Sequence, residues 1–561
     1  MSDSELDEFF PREEHILAGG RIRLGTVVGG SLSQGLSVRL NTGALPGGVI
    51  EDLAVGRYVV LDGLTGKRFF SIVTDIALES SNPMLEKAPP ELDDPFLLDI
   101  YRSTIAYGQA TVTPMLVLES EDANPKPVKT IPAHFSPVLK ATEEDVSRVF
   151  GQEDNDHFHI GSPLDMENVK VNLDLDRFIE RSSGVFGKSG TGKSFITRTV
   201  LTGVIQSGKA ACLIFDMHND YGWDITDERG RSFKGLRQLF PDGRVNVYTL
   251  DERTSRNRGS KIDGTVQIGY EQISPEDVDM LAGVLALSDV QVGALYYLRR
   301  KLGRKWFHML LDPDEDQQAR LDDLIEMGNI LKGTLGAIQR KLEFFRRMDF
   351  IVERSSENVV DQIFHALNAG KSIVLEFGTY GDSLPAYIFV ANYLTRRIHA
   401  RYVDAKNKAA GKQGDEPHKL MIVIEEAHKF LDDEIAGHTI FGTIARELRK
   451  YNVTLLIVDQ RPSGIDDEVM SQVGTRVTCL LDNEADIRAV FSGVSGASAL
   501  RQVLARLDTQ QQALIMGHAV PMPVVIRTRE YGPELYAAVG YMDGEERTRR
   551  TNSDKAALFG S

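Results

Sequence analysis

The sequence predicts a protein of the α/β class, with a small β-rich domain before the core and a helical insertion within it. Three observations support this prediction. Short β-type runs punctuated by glycine fill the first part of the chain. From about residue 158, near-continuous apolar runs alternate with helical segments, as parallel strands buried on both faces do. A glycine-rich loop separates one such strand from a helix in "GVFGKSGTGKSFITRT", residues 184–199.

The boundaries of these parts follow from changes in pattern along the chain. The β-rich region predicts a small barrel or sandwich. The inserted segment, which begins "SPEDVDMLAGVLALSDVQVGALYYLRRKL", shows helical spacing and no strand. The expected division is a β-rich domain at 1–125, a connection at 126–160, the α/β core at 161–273 and 371–535, the helical insertion at 274–370 and a polar tail at 536–561.

Composition limits the classes of protein to consider. The 561 residues carry a net charge of −17, which argues against a basic surface but leaves room for a basic lining inside an acidic assembly. The two cysteines, Cys212 and Cys479, lie in apolar β-type runs, so we expect buried thiols and neither a disulfide nor a metal pair. No signal peptide opens the sequence, and no apolar run approaches the roughly 20 residues that span a bilayer. A cytoplasmic protein without a membrane segment is therefore expected.

The glycine-rich loop matches a phosphate-binding pattern. Gly187, Gly192, Lys193 and Ser194 fit G-x-x-x-x-G-K-[ST]. Main-chain N–H groups and the start of the following helix would face the phosphates, the lysine would reach the β- and γ-phosphates, and the serine hydroxyl would bind Mg²⁺. A chance glycine-rich turn is the alternative, but the strand before the loop and the expected amphipathic helix after it favour nucleotide binding. The expected nucleotide-binding residues are Gly187, Ser189, Gly190, Thr191, Gly192, Lys193 and Ser194.

A second acidic feature lies about 230 residues further on. "LMIVIEEAHKFL" is an apolar strand that ends in Glu425 and Glu426. One carboxylate at such a position can face Mg²⁺ and its water shell, and the other can orient the attacking water. We assign Glu425 to the metal and Glu426 to water activation. A solvated acidic strand end is the alternative, which the phosphate loop upstream makes less attractive.

Two further strand ends carry polar candidates. "LIVDQRPS" places Gln460 where an amide could sense the γ-phosphate, although a surface turn would also explain it. "LIFDMHNDYGW" places Asp216, His218 and Asp220 at the edge of the sheet where α/β proteins bind ligands. A transition-metal site is disfavoured because no further His/Cys cluster accompanies them. Asp216 is expected near the hydrolytic water or Mg²⁺.

Two arginines lie between the acidic strand and the glutamine-bearing strand. Arg446 and Arg449 in "ARELRKYNV" are three residues apart and share a helix face. One of them could reach across a subunit boundary as an arginine finger, with Arg449 as the first choice and Arg446 as the second. An ordinary solvated helix is the alternative.

Taken together, these segments resemble the HerA–FtsK superfamily of ring-shaped DNA-pumping ATPases, and specifically the HerA family. The resemblance covers most of the chain and rests on the order and spacing of several motifs. They are "VFGKSGTGKS", "FDMHNDY", "VIEEAHKF", "ARELRKY" and "DQRPS", together with the β-rich beginning and the helical insertion.

The resemblance implies a RecA-like P-loop core behind a HAS-barrel-like domain, and ATP and Mg²⁺ as cofactors. It also implies a homohexamer with ATP sites at subunit interfaces and double-stranded DNA in the central channel. The implied partner is a nuclease similar to NurA, or an effector subunit of antiphage defence. Two departures from the family pattern stand out: Asn219-Asp220 replaces Gly-Glu, and Glu425 stands where related motors often use Asp.

Two functions share all of these motifs. The first is an ATP-dependent double-stranded DNA translocase or helicase that works with a nuclease or effector in DNA end processing or antiphage defence. The second is an ATPase ring that mainly scaffolds and regulates its partner. A nucleotide switch unrelated to DNA is disfavoured, because paired glutamates and a candidate finger suit turnover. The basic segment 253–261, "RTSRNRGSK", is a candidate channel loop.

Overall fold

The fold is that of a computed structural model, which describes most of the chain. The residues described are 16–17, 21–41, 53–82, 87, 106–119, 125–164, 166–226, 230–328, 330–355, 358–433, 436, 439–447, 450–494, 497–508 and 511–541.

Strands occur from the beginning to the end of this described chain. They are β1 Ile16–Leu17, β2 Arg21–Ser31, β3 Gly35–Leu40, β4 Tyr58–Asp62, β5 Arg68–Ser80, β6 Ala106–Leu118, β7 Lys126–Pro127, β8 Pro137–Lys140, β9 His157–Pro163, β10 Val171–Asp174, β11 Ser183–Phe186, β12 Ala211–Asp216, β13 Ile225–Thr226, β14 Ser232–Phe233, β15 Val245–Thr249, β16 Gly264–Thr265, β17 Ile268–Gly269, β18 Ile351–Val352, β19 Ser372–Glu376, β20 Leu420–Glu425, β21 Val453–Asp459, β22 Thr475–Thr478, β23 Gln512–Gly517 and β24 Val524–Thr528.

Helices are concentrated after residue 174. They are α1 Glu143–Phe150, α2 Leu175–Glu180, α3 Lys193–Ser207, α4 Leu236–Leu239, α5 Glu252–Asn257, α6 Pro275–Asp279, α7 Asp289–Leu302, α8 Trp306–Leu311, α9 Glu315–Met327, α10 Lys332–Arg346, α11 Val359–Asn368, α12 Leu384–Ala410, α13 His428–Leu431, α14 Ile440–Glu447, α15 Asp467–Gln472, α16 Glu484–Val490, α17 Ala497–Ala505 and α18 Pro533–Ala538. Short 3-10 turns lie at 270–272, 303–305, 378–380 and 462–464.

The chain divides into two compact units. The first contains residues 1–174, 187–192 and 475–529, and the second contains 175–186, 193–474 and 530–561. Both units are therefore built from separate stretches of sequence.

The first unit contains a closed barrel. Its antiparallel strands run in the order β2-β3-β6-β5-β4-β8, and β8 pairs with β2 to close the ring. Closure leaves no free edge within the barrel strands. The interior is filled by alternate apolar side chains, among them Val38, Leu61 and Val73, which are fully buried. Of the two architectures that the β-rich sequence predicted, the barrel is the one observed.

The same unit also contains an antiparallel sheet of the order β10-β9-β24-β23-β22. One expectation needs correction here. The run "TRVTCLLD" was grouped with the parallel strands, but its strand, β22, pairs antiparallel with β23. An apolar run indicates burial on both faces and does not encode the direction of the neighbouring strand.

The second unit contains a parallel sheet of the order β11-β21-β20-β12-β19-β15-β16. Its central strands are buried along their whole length, as their apolar runs predicted. Parallel strands present their carboxyl ends along one edge, and α/β proteins bind ligands at that edge. The expected α/β class with a P-loop core is confirmed.

Two helical expectations are partly wrong. Helix α3 was expected to be amphipathic, but every residue from 196 to 205 is buried, including the charged Arg198. The inserted segment 274–370 was expected to lack strands, and α6 to α10 do dominate it. It nevertheless contributes β18, a two-residue strand that pairs with β17.

Two smaller expectations concern the cysteines and the membrane. Cys212 and Cys479 are both buried and unbridged, as predicted. Across the described ranges, none of the helices combines the length and the apolar character that crossing a bilayer requires.

Candidate nucleotide site

The predicted phosphate loop has the backbone that its glycines suggest. Gly187, Gly190 and Gly192 all have positive φ angles, of 156°, 80° and 91°. A Cβ on Gly187 would also lie 2.7 Å from the Cβ of Cys479, so this position excludes any side chain. Lys193 is the first residue of α3, which places it and the next residue, Ser194, at the start of a helix directly after the loop.

Four neighbouring strands of the parallel sheet each end in a buried acid. In sheet order, β19 ends in Glu376, β12 in Asp216, β20 in Glu425 and β21 in Asp459. Asp216 pairs in register with Glu376, so these two acids lie side by side at the edge. Buried carboxylates need hydrogen-bond donors, and the donors that each acid finds distinguish their roles.

Both carboxylate oxygens of Asp216 accept hydrogen bonds from its own loop. Its Oδ1 accepts the main-chain N–H of Asp220 at 2.6 Å, and its Oδ2 accepts those of Tyr221 at 2.8 Å and Gly222 at 3.4 Å. Burial raises the pKa of Asp216 to about 8, with Glu425 adding to the rise and the main-chain donors opposing it. The side chain thus fixes the 220–222 segment.

Both carboxylate oxygens of Glu376 likewise accept hydrogen bonds, here from serine hydroxyls. Ser255 donates to its Oε2 at 2.7 Å, and Ser260 donates to its Oε1 at 3.3 Å. Burial raises the pKa of Glu376, and the serine donors oppose that rise. This acid holds α5 and the turn after it, which belong to the basic segment 253–261.

Asp459 is engaged by the segment that follows β20. It accepts the main-chain N–H groups of His428 at 2.8 Å and Arg461 at 2.6 Å. The Nδ1 atom of His428 lies 3.0 Å from its Oδ2. This contact raises the pKa of His428, whereas the pKa of Asp459 is lowered because contacts with His428 outweigh the effect of burial.

Glu425 differs from the other three acids. Its Oε1 accepts the hydroxyl of Tyr221 at 2.7 Å, but its Oε2 is buried and accepts no hydrogen bond from any described residue. Burial raises the pKa of Glu425, and the Tyr221 hydroxyl and the charge of Lys193 oppose that rise. A buried carboxylate oxygen without a donor is costly, and such an atom suits a ligand or cation.

Glu426, the next residue, has a strained backbone. Its φ of 48° is in the left-handed region, which a glutamate seldom adopts and which often marks functional sites. Its Oε1 accepts a hydrogen bond from Nε2 of Gln460 at 3.0 Å, and its side chain is 19% exposed. The two residues assigned to water activation and γ-phosphate sensing are therefore in contact.

These residues have the donor set that Mg²⁺ uses. Mg²⁺ keeps several waters and takes few protein ligands beside substrate phosphates. The buried free oxygen of Glu425 and the hydroxyl of Ser194 at the start of α3 match that pattern. Within the described part of the chain, no group of three or more His, Cys, Asp and Glu side chains is arranged to hold a metal ion.

Of the two candidate finger arginines, Arg446 lies within the described residues and Arg449 does not. Nε of Arg446 lies 2.9 Å from Oε2 of Glu468, and its NH2 atom lies 3.6 Å from Asp466, so within this chain it ties α14 to α15. Arg449 lies outside the described residues. Neither contact tests a role across a subunit boundary, and the arginine finger stays a prediction.

The departure at Asn219 has a structural explanation. Asn219 has a φ of 57°, a left-handed conformation in which glycine is most at ease and asparagine is better tolerated than most residues. Its Oδ1 also accepts the main-chain N–H of Gly378 at 3.0 Å. Asn219 thus tolerates the left-handed backbone at this position and adds a tether to the segment after β19.

Sequence reasoning missed three members of the site. Asp459 and Glu376 carry the signal that identified Glu425, an apolar strand that ends in an acid, and could have been found by it. Tyr221 has no such signal, because its contact with Glu425 joins residues 204 positions apart.

Comparisons with known proteins agree with the motifs. A family model described as "Helicase HerA, central domain" matches residues 158–398. The DNA double-strand break repair helicase HerA of Pyrococcus furiosus is 24% identical over an alignment of 526 residues, which covers 88% of this chain and 91% of that protein. The protein of the same name from Saccharolobus solfataricus is 24% identical over 499 residues, with the same two coverages.

Among solved structures, VirB4 of Thermoanaerobacter pseudethanolicus covers 69% of this chain and 99% of its own at 13% identity, with a TM-score of 0.44. The similarity to HerA helicases rests on the sequence matches and on the motifs in the order described above. The chain is similar to HerA helicases over residues 158–398 and in its motifs, and its core is that of a P-loop ATPase.

Proposed function

We propose that the protein is an ATP-dependent DNA translocase or helicase. The observation that carries the proposal is Glu425, whose second oxygen is buried and accepts no hydrogen bond from the described residues, while the acids on the strands to either side are engaged. Such an atom is explained if a nucleotide-bound cation is its partner. The HerA relatives support DNA as the substrate on which the energy is spent.

Each residue of the site then has a role in ATP hydrolysis. Main-chain N–H groups of the loop and the ammonium of Lys193 bind the phosphates. Ser194 and Glu425 would hold Mg²⁺, and the ion would supply positive charge opposite the transferred phosphoryl group.

Glu426 accepts the proton of the attacking water, and its strained backbone fixes the direction of the carboxylate. The Gln460 amide steadies Glu426 through the contact between their side chains.

The finer parts of the proposal concern assembly and partners. We propose a homohexamer in which Arg449, or else Arg446, completes the ATP site of a neighbouring subunit. Double-stranded DNA would occupy the centre of that ring. DNA cutting would come from a nuclease or antiphage effector bound to the ring, because the sequence shows no nuclease-like carboxylate–lysine cluster.

The basic segment 253–261 is the proposed DNA contact, and its two arginines differ. The Arg256 side chain is 68% exposed, and its ion-pair partner among the described residues is Glu252, one turn away. Arg258 donates to the carbonyl of Asn219 at 3.0 Å, in the loop that bears Tyr221. Arg256 is therefore the cleaner test of DNA binding, because changing Arg258 would also disturb the nucleotide site.

The experiment is ATP hydrolysis with and without double-stranded DNA, over a series of salt concentrations. The proposal predicts DNA-stimulated hydrolysis and binding that weakens steeply with salt, and Arg256→Glu should weaken binding further. A rate of ATP hydrolysis that DNA does not change but a partner protein does would contradict the translocase and support the scaffolding ATPase. Unchanged DNA binding by Arg256→Glu would show that this segment is not the DNA contact. It would leave the proposed translocase activity standing.

A further inference from the structure

Two buried tyrosine hydroxyls contact Glu425, and they contact different parts of it. Tyr221 donates to the carboxylate oxygen Oε1 at 2.7 Å. Tyr387 donates to the main-chain oxygen at 3.0 Å and accepts the main-chain N–H at 3.1 Å. Both tyrosines are fully buried. One hydroxyl therefore holds the functional group of Glu425, and the other holds the end of its strand.

The position of Tyr221 is fixed by its surroundings. Its main-chain N–H binds Asp216 at the end of β12. Arg198, from the helix that begins at Lys193, donates to the carbonyl of Asp220, and its guanidinium carbon lies 5.9 Å from the centroid of the Tyr221 ring. These contacts fix the position of the Tyr221 hydroxyl relative to both the acidic strand edge and the helix that follows the phosphate loop.

This arrangement limits the freedom of Glu425. A carboxylate with one anchored oxygen cannot rotate freely, so its other oxygen keeps one direction. Partners behind a ligand group commonly tune metal affinity in this way. We propose that Tyr221 is a positioning residue for ATP hydrolysis, whose hydroxyl holds Glu425 so that Oε2 is presented to Mg²⁺. The inference rests on the proposed ATP hydrolysis and adds a residue to it.

The test compares Tyr221→Phe with the matched control Tyr387→Phe in the full chain. Each variant removes one buried hydroxyl next to Glu425 and keeps the ring. The readout is Mn²⁺ affinity in the presence of ATPγS, followed by the electron paramagnetic resonance of free Mn²⁺. We expect Tyr221→Phe to weaken Mn²⁺ binding by roughly 10-fold or more, and Tyr387→Phe to leave it near the wild-type value.

A double-mutant cycle shows whether Tyr221 acts through Glu425. In a Glu425→Gln background, Tyr221→Phe should cause little further loss of Mn²⁺ affinity, because the carboxylate that it positions is already gone. An equal, additive loss in that background would mean that Tyr221 acts elsewhere and would overturn the inference.

The remaining outcomes separate this inference from the proposed function. Wild-type Mn²⁺ affinity in Tyr221→Phe, or an equal loss in both tyrosine variants, would overturn the positioning role while leaving hydrolysis intact. A wild-type chain that binds ATPγS and Mn²⁺ but hydrolyses no ATP would contradict the function instead. If Tyr221→Phe does not fold, Asp216→Asn, which loosens the main chain at Tyr221, should also weaken Mn²⁺ binding, and an unchanged affinity would overturn the inference.

Discussion

Two stretches of the same strand edge use buried acids in different ways. At the ends of β12 and β19, both oxygens of Asp216 and of Glu376 are occupied by donors from nearby loops. At the end of β20, one oxygen of Glu425 finds no donor in the described part of the chain, and Glu426 accepts a hydrogen bond from the Gln460 amide after the next strand. The first stretch holds loops in place, and the second keeps charge available for a ligand.

The difference shows that an acid at a strand end is insufficient to identify a catalytic role. All of these carboxylates follow apolar strands, and burial raises the pKa of Asp216, Glu376 and Glu425 alike. What separates them is whether local donors satisfy both oxygens. The predictions below test that distinction, beginning with the largest expected effect.

Lys193→Ala should abolish ATP hydrolysis, because it removes the cation directed at the phosphates. Glu426→Gln should leave ATP binding intact and lower hydrolysis by roughly 10²- to 10⁴-fold, since the charge that accepts the proton is lost. A hydrolysis assay beside a nucleotide-binding assay separates the two. Wild-type turnover by Glu426→Gln would show that the second stretch has no catalytic acid at this position.

Completion of the site by a neighbouring subunit should be visible in mixed rings. Arg449→Ala should lower hydrolysis by roughly 10³-fold, the effect of known arginine fingers, and Arg446→Ala is the second candidate. Mixing Arg449→Ala with Lys193→Ala should restore part of the activity, because an intact loop can then face an intact arginine.

The control for mixing is labelled protein that demonstrates subunit exchange. If subunits exchange but activity returns with neither arginine variant, then the site is not shared between subunits, or the ring needs every site intact. Full activity in a strictly monomeric form would contradict sharing more directly.

Asp216→Asn should loosen the loop that Asp216 holds. The variant loses one of two acceptor oxygens, so the free energy of local opening at Tyr221 should fall by about 1–3 kcal/mol. Amide hydrogen exchange of residues 220–222 measures this opening, with Glu426→Gln as a control that should leave it unchanged. Unaltered protection in Asp216→Asn would contradict the holding role.

The His428–Asp459 contact predicts a smaller, pH-dependent effect. The pKa of His428 is raised above 6.5, so its contribution to stability is complete below pH 6.5 and is lost as pH rises through the folded pKa. The pKa of Asp459 is lowered below 3.8, so its contribution is lost only as pH falls through that lower value. Between these limits both partners are charged.

His428→Gln should therefore lower the free energy of local opening by about 2 kcal/mol near pH 5–6, and by less as pH rises further. Hydrogen exchange at the amide of residue 428 or Arg461, measured at several pH values, provides the comparison. A difference that does not change with pH would contradict the charged contact.

Much of this architecture could be predicted from the sequence because burial and turns are encoded locally. The glycines of the phosphate loop and the acids of β20 identified their elements without tertiary information. The direction of β22 could not be predicted, because an apolar run is compatible with either orientation. Helix α3 was expected to be amphipathic, but even its Arg198 is buried, because the aromatic rings of Phe195, Tyr221 and Tyr531 lie around the guanidinium.

The roles of the acids depended on contacts between distant parts of the chain. Glu425 and Asp216 look equivalent in sequence, and the hydrogen-bond donors around them make the difference. Both oxygens of Asp216 accept hydrogen bonds, whereas Oε2 of Glu425 accepts none from the described residues. The same holds for Tyr221, which reaches Glu425 only after β12 and β20 pair.

We propose that Glu425 acts at the nucleotide, whereas Glu376, two strands away in the sheet, holds a loop. The most direct test measures ATP hydrolysis by Glu425→Gln and Glu376→Gln, with nucleotide binding measured in both. We expect Glu425→Gln to lose roughly 10²-fold in hydrolysis and Glu376→Gln, whose amide can still bind both serines, to stay close to wild type. Equal losses in the two variants, or a loss in Glu376→Gln alone, would contradict it.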